Sequence, residues 1–337
     1  MATDQTPPPV ALLKMLAGFE VTAALTTAAS LGVAERLADG PRDSASLAAD
    51  VGADADALYR VLRTLSSVGV FTEVSPRHFA LTPVGDCLRG DVPGSMRSMV
   101  LLWGREHYRA FAELEHSVRT GAPAFDHVYG MSWWSYLSRT PEVGAVFDAA
   151  MTNLSRQVHA GAIASYDFSQ ATHVVDVGGG HGALLAAVLA RNPHLRGTLF
   201  DVPAVAEVAR KRLADAGLLD RVEVVGGDFF DAVPSGGDVY LLSMVMHDWP
   251  DGAAASILRN VRDVVPPDGR VLIVDAVLPD GDGPHLGKIV DLVMLTMLGG
   301  RERSAREFGE LLTAAGLQLA SVVESDGPTS VVVARPA

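Results

Sequence analysis

A chain of 337 residues is long enough for one large or two moderate domains, and a hydrophobic share of 48% is ample for a core. A net charge of −13 and a pI near 5.1 argue against nucleic acid or an anionic membrane as the main partner, and leave a cationic small molecule open. The lone cysteine, Cys87, excludes an intramolecular disulfide or a cysteine-cluster metal site and reads as a small core residue.

The start, MATDQTPPPV, has no basic segment ahead of an apolar run, so no signal peptide is expected. No apolar run is read as reaching the ~18 residues of a membrane span. The expectation is a cytoplasmic protein with a mobile polar tail over residues 1–9. Residues 10–92 form the first expected domain. Val10 to Ala38 is an Ala/Leu-rich helical stretch, broken near Ser30 to Gly32, too apolar to sit exposed. Ser44 to Leu88 has the pattern of a winged helix. Ser44 can cap a helix through Val51, and Asp54 or Asp56 can cap a second with Leu58, Val61, Leu62 and Leu65 on one face. Val70 to Leu81 fits a hairpin wing turning at SPRH. Such a unit can read DNA. Residues 1–95 hold eleven acids against seven bases, however, and the second helix brings only Arg60 and Arg63. A DNA reader needs a basic face, so a structural or dimerising role is favoured over a regulator.

Residues 93–171 read as a helical linker rich in aromatics: Trp103, Tyr108, Phe111, Phe125, Tyr129, Trp133, Trp134, Tyr136 and Phe147. Such rings build core or line a pocket for a flat apolar ligand. Met151, Asn153 and Arg156, at its end, are within reach of the cleft that follows.

From Thr172 strands alternate with helices: HVVDV, GTLFDV (197–202), VEVVGG (222–227), DVYLLSMV (238–245) and RVLIVDAV (270–277). This alternation implies a parallel sheet covered on both faces. A helix from Ser304 to Ala315 precedes QLASVVES and TSVVVARP, which a short DGP turn should pair antiparallel. Residues 172–337 are therefore expected to form a doubly wound α/β domain ending in an antiparallel hairpin.

The stretch HVVDVGGGHGA (173–183) reads as a buried strand, a tight glycine turn and a helix start. Gly178-x-Gly180-x-x-Ala183 fits the dinucleotide fingerprint, and Asp201 stands 21 residues after Gly180, where a ribose-binding acid belongs. Asp176 points elsewhere. A carboxylate at the end of the first strand suits a ligand carrying an ammonium, such as the methionine end of S-adenosylmethionine.

Four motifs fall at successive strand ends: DVGGGHG, FDVP (200–203), GDFF (227–230) and MHDW (246–249). With GGRERS (299–304) they make a chain that resembles the S-adenosylmethionine-dependent O-methyltransferases, nearest to the plant caffeic-acid type and the bacterial enzymes of aromatic natural products. The resemblance spans nearly the whole chain. It implies a class I methyltransferase sheet behind a winged-helix-like dimerisation domain, a homodimer through the N-terminal region, and an aromatic small-molecule acceptor. It places Asp176, Gly178, Gly180, Asp201, Asp228, Phe229 and Ser243 around S-adenosylmethionine, which leaves as S-adenosylhomocysteine. Asp201 takes the ribose hydroxyls, Asp228 faces the adenine amine and Phe229 packs on the ring. Ser243 stands where plant relatives carry a lysine, with a shorter reach.

Transfer from a sulfonium needs a positioned acceptor stripped of its proton. A phenol with a pKa of about 10 is mostly protonated at neutral pH, and an imidazole can take that proton. His247 matches the family's general base, and Asp275 and Glu302 match the two acids that flank it. Plant relatives usually carry glutamate at both positions, so Asp275 is one methylene shorter. Asp248 can brace the loop. Asp291, Met294 and Met297 lie on one helix that by resemblance borders the acceptor, and the methionines serve equally as a ring clamp or a core stripe. No metal site is expected. Three other readings stay open: the same fold and cofactor used for hydroxylation or decarboxylation, an NAD-dependent oxidoreductase, and a winged-helix regulator. An excess of arginine over lysine, 24 to 3, fits a GC-rich bacterial genome and natural-product tailoring.

Overall fold

The computed structural model describes residues 7–154, 160–325 and 327–337. Residues 1–6 of the expected tail and Arg156 lie outside the described residues. The chain divides into two compact units, Met1–Arg109 with Thr140–Ala150, and Ala110–Arg139 with Met151–Ala337.

The first unit begins with helices Pro8–Leu16 and Gly18–Leu31. The stretch Pro8–Leu31 corrects the expectation about apolar runs. Within its 24 residues an 18-residue window has a mean hydropathy of 1.4, so by length and composition it could cross a membrane. Lys14 and Glu20 are its only charges, too few to break the run. Leu12, Leu13, Met15, Leu16 and Phe19 are all exposed.

Helix Ser44–Val51 starts one residue earlier than the sequence suggests. Its cap is Asp43, whose carboxylate accepts from the Ala45 and Ser46 amides at 3.0 Å each. Asp43 is extended, so its side chain reaches the free N–H groups; Ser44 is already helical and its buried hydroxyl has no partner among the described residues. Asp54 caps Ala55–Ser67, which buries Leu58, Leu62 and Leu65 on one face. The hairpin Phe71–Ser75 and His78–Leu81 pairs antiparallel, and Arg42–Asp43 adds a short third strand. Phe71 and Phe79 pack with Leu47 and the leucines of the second helix into one core.

The second unit is built on seven strands: β1 His173–Val177, β2 Arg196–Asp201, β3 Val222–Gly226, β4 Val239–Ser243, β5 Arg270–Asp275, β6 Leu317–Val323 and β7 Ser330–Pro336. Their order is β6-β7-β5-β4-β1-β2-β3. The five strands β1 to β5 run parallel; β7 pairs antiparallel with both β5 and β6. Five labelled helices pack around them: α1 Ala183–Arg191, α2 Pro203–Asp215, α3 Asp251–Arg262, α4 Leu286–Met297 and α5 Ala305–Ala314. Val174 and Val175 point to opposite faces and join separate apolar clusters, so the sheet has a core on each side. Arg221 closes the far end of α1, its guanidinium donating to the carbonyls of Leu189, Asn192 and Leu195. Ser304 and Glu307 cap α5 reciprocally. Strand order reverses between β1 and β4, and the crevice at their carboxyl ends is where such a sheet accepts ligands.

Candidate active site

The glycine turn after β1 is tightly specified. Gly178, Gly180 and Gly182 have φ of 72°, 55° and 80°, a region that glycine enters without steric cost. A Cβ on Gly178 would lie 2.8 Å from the Val245 side chain and 3.7 Å from the Phe229 ring. The turn, the exit of β4 and the GDFF loop therefore meet over one glycine. Gly180 N donates to Asp201 Oδ2 at 2.8 Å, and Val202 N donates to Asp201 Oδ1 at 2.7 Å. These two bonds hold the Asp201 carboxylate against the glycine turn. Asp228 accepts from Phe230 N, and Asn260 on α3 donates to the carbonyls of Phe229 and Phe230, which anchors that loop.

The residues fit an adenosyl sulfonium on a direct observation. Asp176 is 1% exposed, and its Oδ2 has no hydrogen-bond partner among the described residues. Burial, and then the charge of Asp201, push its carboxyl up to about 7. A buried carboxyl of this kind suits a cationic group on a ligand. The buried Ser243 hydroxyl is likewise without a partner. Among the described residues no group of three or more His, Cys, Asp or Glu side chains could hold a metal ion.

His247 sits in a single 3-10 turn, Met246–Asp248, directly after β4. Its Nδ1 lies 2.7 Å from Glu302 Oε1 and its Nε2 3.3 Å from Asp248 Oδ1. Glu302 is held in turn by its backbone, whose N–H donates to Asp291 Oδ1 on α4 at 2.8 Å. Burial pulls the imidazolium down, but the carboxylates of Asp248, Asp275 and Glu302 outweigh it and push its pKa up to about 10. Burial raises the Asp248 carboxyl to about 6 against the opposing pull of His247.

Asp275, expected beside the histidine, is fully buried at the end of β5, yet neither carboxyl oxygen has a hydrogen-bond partner among the described residues. Its carboxyl is raised to about 7, by burial first. The shorter side chain leaves it acting on His247 through charge alone. Asp248, read in sequence as a loop brace, is the second carboxylate on the ring. A Cβ on Gly300 would overlap the His247 carbonyl, so the loop 299–304 lies directly against the histidine turn.

Aromatic side chains of the same unit gather beside α4. Phe125 stacks on Tyr129 at 4.3 Å and meets Trp133 edge-on at 5.1 Å and Tyr136 at 5.5 Å. Helix Ala124–Tyr129 packs on α4, whose Met294 and Met297 are buried. Trp134 stacks on Trp249 at 6.4 Å, beside the histidine turn.

The sequence model of the O-methyltransferase domain matches residues 111–318, and that of the O-methyltransferase dimerisation domain matches residues 13–91. The chain is 47% identical to phenazine O-methyltransferase PhzM of Lysobacter antibioticus, over 96% of this chain and 95% of that one. It is 40% identical to aclacinomycin 10-hydroxylase RdmB of Streptomyces purpurascens, over 94% and 87%. The crystal structure of the O-methyltransferase NcsB1 from neocarzinostatin biosynthesis, bound to S-adenosylmethionine and 2-hydroxy-5-methyl naphthoic acid, superposes with a TM-score of 0.84 at 39% identity. That match covers 96% of this chain and 98% of NcsB1.

Proposed function

The chain belongs to the O-methyltransferase family and uses S-adenosylmethionine, and from that membership we propose that it methylates a hydroxyl of an aromatic natural product with His247 as proton acceptor. The observation that carries this reading is the buried imidazole at the exit of β4, with Nδ1 on Glu302 and Nε2 facing Asp248.

Bound S-adenosylmethionine supplies a methyl group already activated on sulfur. In the proposed site Asp176 takes the ligand ammonium, Asp201 the ribose hydroxyls, Asp228 the adenine amine, and Phe229 the adenine face. Gly178 and Gly180 let the backbone approach, and Ser243 offers its buried hydroxyl. Glu302 accepts from Nδ1–H and so leaves Nε2 as the working nitrogen. The imidazolium proton is first lost to solvent, and the acceptor hydroxyl then takes the place of Asp248 at Nε2. Nε2 then receives the phenolic proton as the oxygen takes the methyl group, whose bond to sulfur breaks so that S-adenosylhomocysteine leaves. Asp275 and Glu302 stabilise the imidazolium that results. The aromatic wall around Phe125 and Trp133, from the stretch 93–171, suits a flat acceptor.

The reading includes a homodimer. The exposed apolar face of Pro8–Leu31 overlaps the dimerisation-domain match, and burying it against a second copy removes a patch too large to leave in water. Light scattering tests this. A cytoplasmic location belongs to the same proposal.

The test of function is calorimetric titration with S-adenosylmethionine, S-adenosylhomocysteine and NADH, then incubation with 2-hydroxy-5-methyl naphthoic acid and S-adenosylmethionine. Binding of the sulfur nucleotides and a product heavier by one methyl group support it. The similarity to a 10-hydroxylase keeps one second reading, in which the product gains an oxygen instead. NADH binding alone would overturn both.

A further inference from the structure

Three consecutive residues grip the histidine turn by three different means. Arg301 N donates to the His247 carbonyl at 2.8 Å. Glu302 takes Nδ1. Arg303 reaches the backbone that carries the ring: Nη1 donates to the Met246 carbonyl at 2.8 Å, and Nη2 to the Trp249 carbonyl at 2.9 Å. Those two carbonyls bracket His247 and Asp248. Nε and Nη2 both donate to Asp251 Oδ1, at 3.0 and 2.7 Å, and Asp251 is the first residue of α3. Nη1 also reaches the Arg301 carbonyl at 3.4 Å. Every N–H of the guanidinium has a partner.

This cation is 1% exposed. A buried ion pair is a weak source of stability, and apolar replacements of similar size are often neutral or stabilising. Stability is therefore a poor reason for Arg303. An apolar side chain cannot hold two carbonyls and a carboxylate in fixed positions; a planar guanidinium can. Residues 303–304 pair parallel with Val277–Leu278, and successive side chains of an extended segment leave on opposite sides. One short segment thus sets both the Glu302 bond to the ring and the backbone beneath it.

We propose that Arg303 is a positioning residue for the reaction, fixing the His247 turn through the carbonyls of Met246 and Trp249 so that Nδ1 stays on Glu302 and Nε2 is held out for the acceptor. Its kinetic consequence rests on the reading of His247 as proton acceptor; its geometric content does not.

The test compares Arg303→Met and Arg303→Lys, with Arg303→Met also made in a His247→Ala background. The primary readout is the pH titration of the His247 imidazole by nitrogen NMR on the full chain, assigned by its loss in His247→Ala. Removing a nearby cation can only raise an imidazolium pKa by charge; losing the Glu302 bond lowers it. The expected result is a downward shift of about one unit or more in Arg303→Met, a smaller one in Arg303→Lys, and S-adenosylmethionine affinity within about threefold of wild type. With 2-hydroxy-5-methyl naphthoic acid as acceptor, turnover falls roughly 10- to 100-fold in Arg303→Met and no further in the His247→Ala background. An unchanged or upward titration overturns the proposal, as does an equal loss of turnover with and without His247. If Arg303→Met does not fold, Arg303→Lys decides by the same titration, since it keeps the cation and gives up the planar fork that holds the two carbonyls. Wild-type turnover in His247→Ala would remove the proton-acceptor reading while leaving the titration arm intact.

Discussion

Glu302 Oε1 lies 2.7 Å from His247 Nδ1, with the glutamate side chain fully buried and the imidazole nearly so. A carboxylate can only accept, so Nδ1 carries the hydrogen and Nε2 is the nitrogen with chemistry left. His247→Ala should keep cofactor affinity and lower turnover by roughly 10²–10⁴-fold, the scale of losing a general base. Glu302→Gln keeps an acceptor oxygen but loses the charge. It should cost roughly tenfold or more in turnover and lower the imidazolium pKa from about 10. Rate–pH profiles of kcat/KM check the sign. The working base is neutral, so the wild-type profile climbs with pH through the neutral range. In Glu302→Gln that climb should finish at lower pH.

Asp248 Oδ1 stands 3.3 Å from Nε2, the nitrogen that the proposed mechanism gives to the acceptor hydroxyl. Asp248→Asn removes one charge that raises the imidazolium pKa, and so makes the ring a weaker base. The rising limb of kcat/KM should move down by about one pH unit or more, while the plateau rate falls. A profile unmoved from wild type would return Asp248 to bracing the loop.

Asp176 ties cofactor binding to pH. Its carboxyl is raised to about 7 in the ligand-free protein, and a ligand ammonium requires the carboxylate. S-adenosylmethionine should therefore bind more weakly as pH falls below 7, by about tenfold per unit once the group is protonated. Titration calorimetry from pH 5.5 to pH 8.5, a range chosen about the carboxyl's value, reads this directly. The linkage has a second face. The folded state holds this proton more tightly than the unfolded state, so Asp176 is a burden that grows from the ordinary carboxylate pKa up to about 7 and persists above it. Asp176→Asn should raise the melting temperature of the ligand-free protein at pH 8, roughly 2–4 °C per kcal/mol relieved, while abolishing tight cofactor binding.

The fold was legible because its signals are local and redundant. Val174, Val175 and Val177 mark a strand buried on both faces, Gly178 and Gly180 a turn that only glycine enters freely, and Ser304 with Glu307 a reciprocal cap. The acids proposed for the cofactor were singled out because each stands at a strand end. What escaped depends on direction in space. His247 and Asp248 are neighbours in the chain, and nothing in that adjacency says that the aspartate returns to its neighbour's ring. Asp275 has the right position but too short a reach, and its carboxyl oxygens have no partner among the described residues. Arg303 sits between acids and other arginines in a pattern that reads as solvated charge, yet it is buried because its donors meet backbone carbonyls, which carry no mark in sequence.

Gly300 carries the last prediction. It precedes Arg301, whose N–H bonds the His247 carbonyl, and an added Cβ would overlap that carbonyl oxygen and the Asp248 backbone. Both obstacles are main chain, so no side chain can swing aside; the loop or the turn has to move. Either movement stretches the Arg301 bond and shifts Glu302 and Arg303 with it. Gly300→Ala should destabilise the protein by roughly 1–3 kcal/mol, the usual range for overpacking. Its turnover should fall by a larger factor than a stability loss alone produces in protein that remains folded, since a displacement of about 1 Å at a reacting group can cost roughly 100-fold. Denaturant melts and turnover per folded molecule separate the two effects. Turnover per folded molecule equal to wild type would mean that the histidine turn keeps its position without the close approach of this loop.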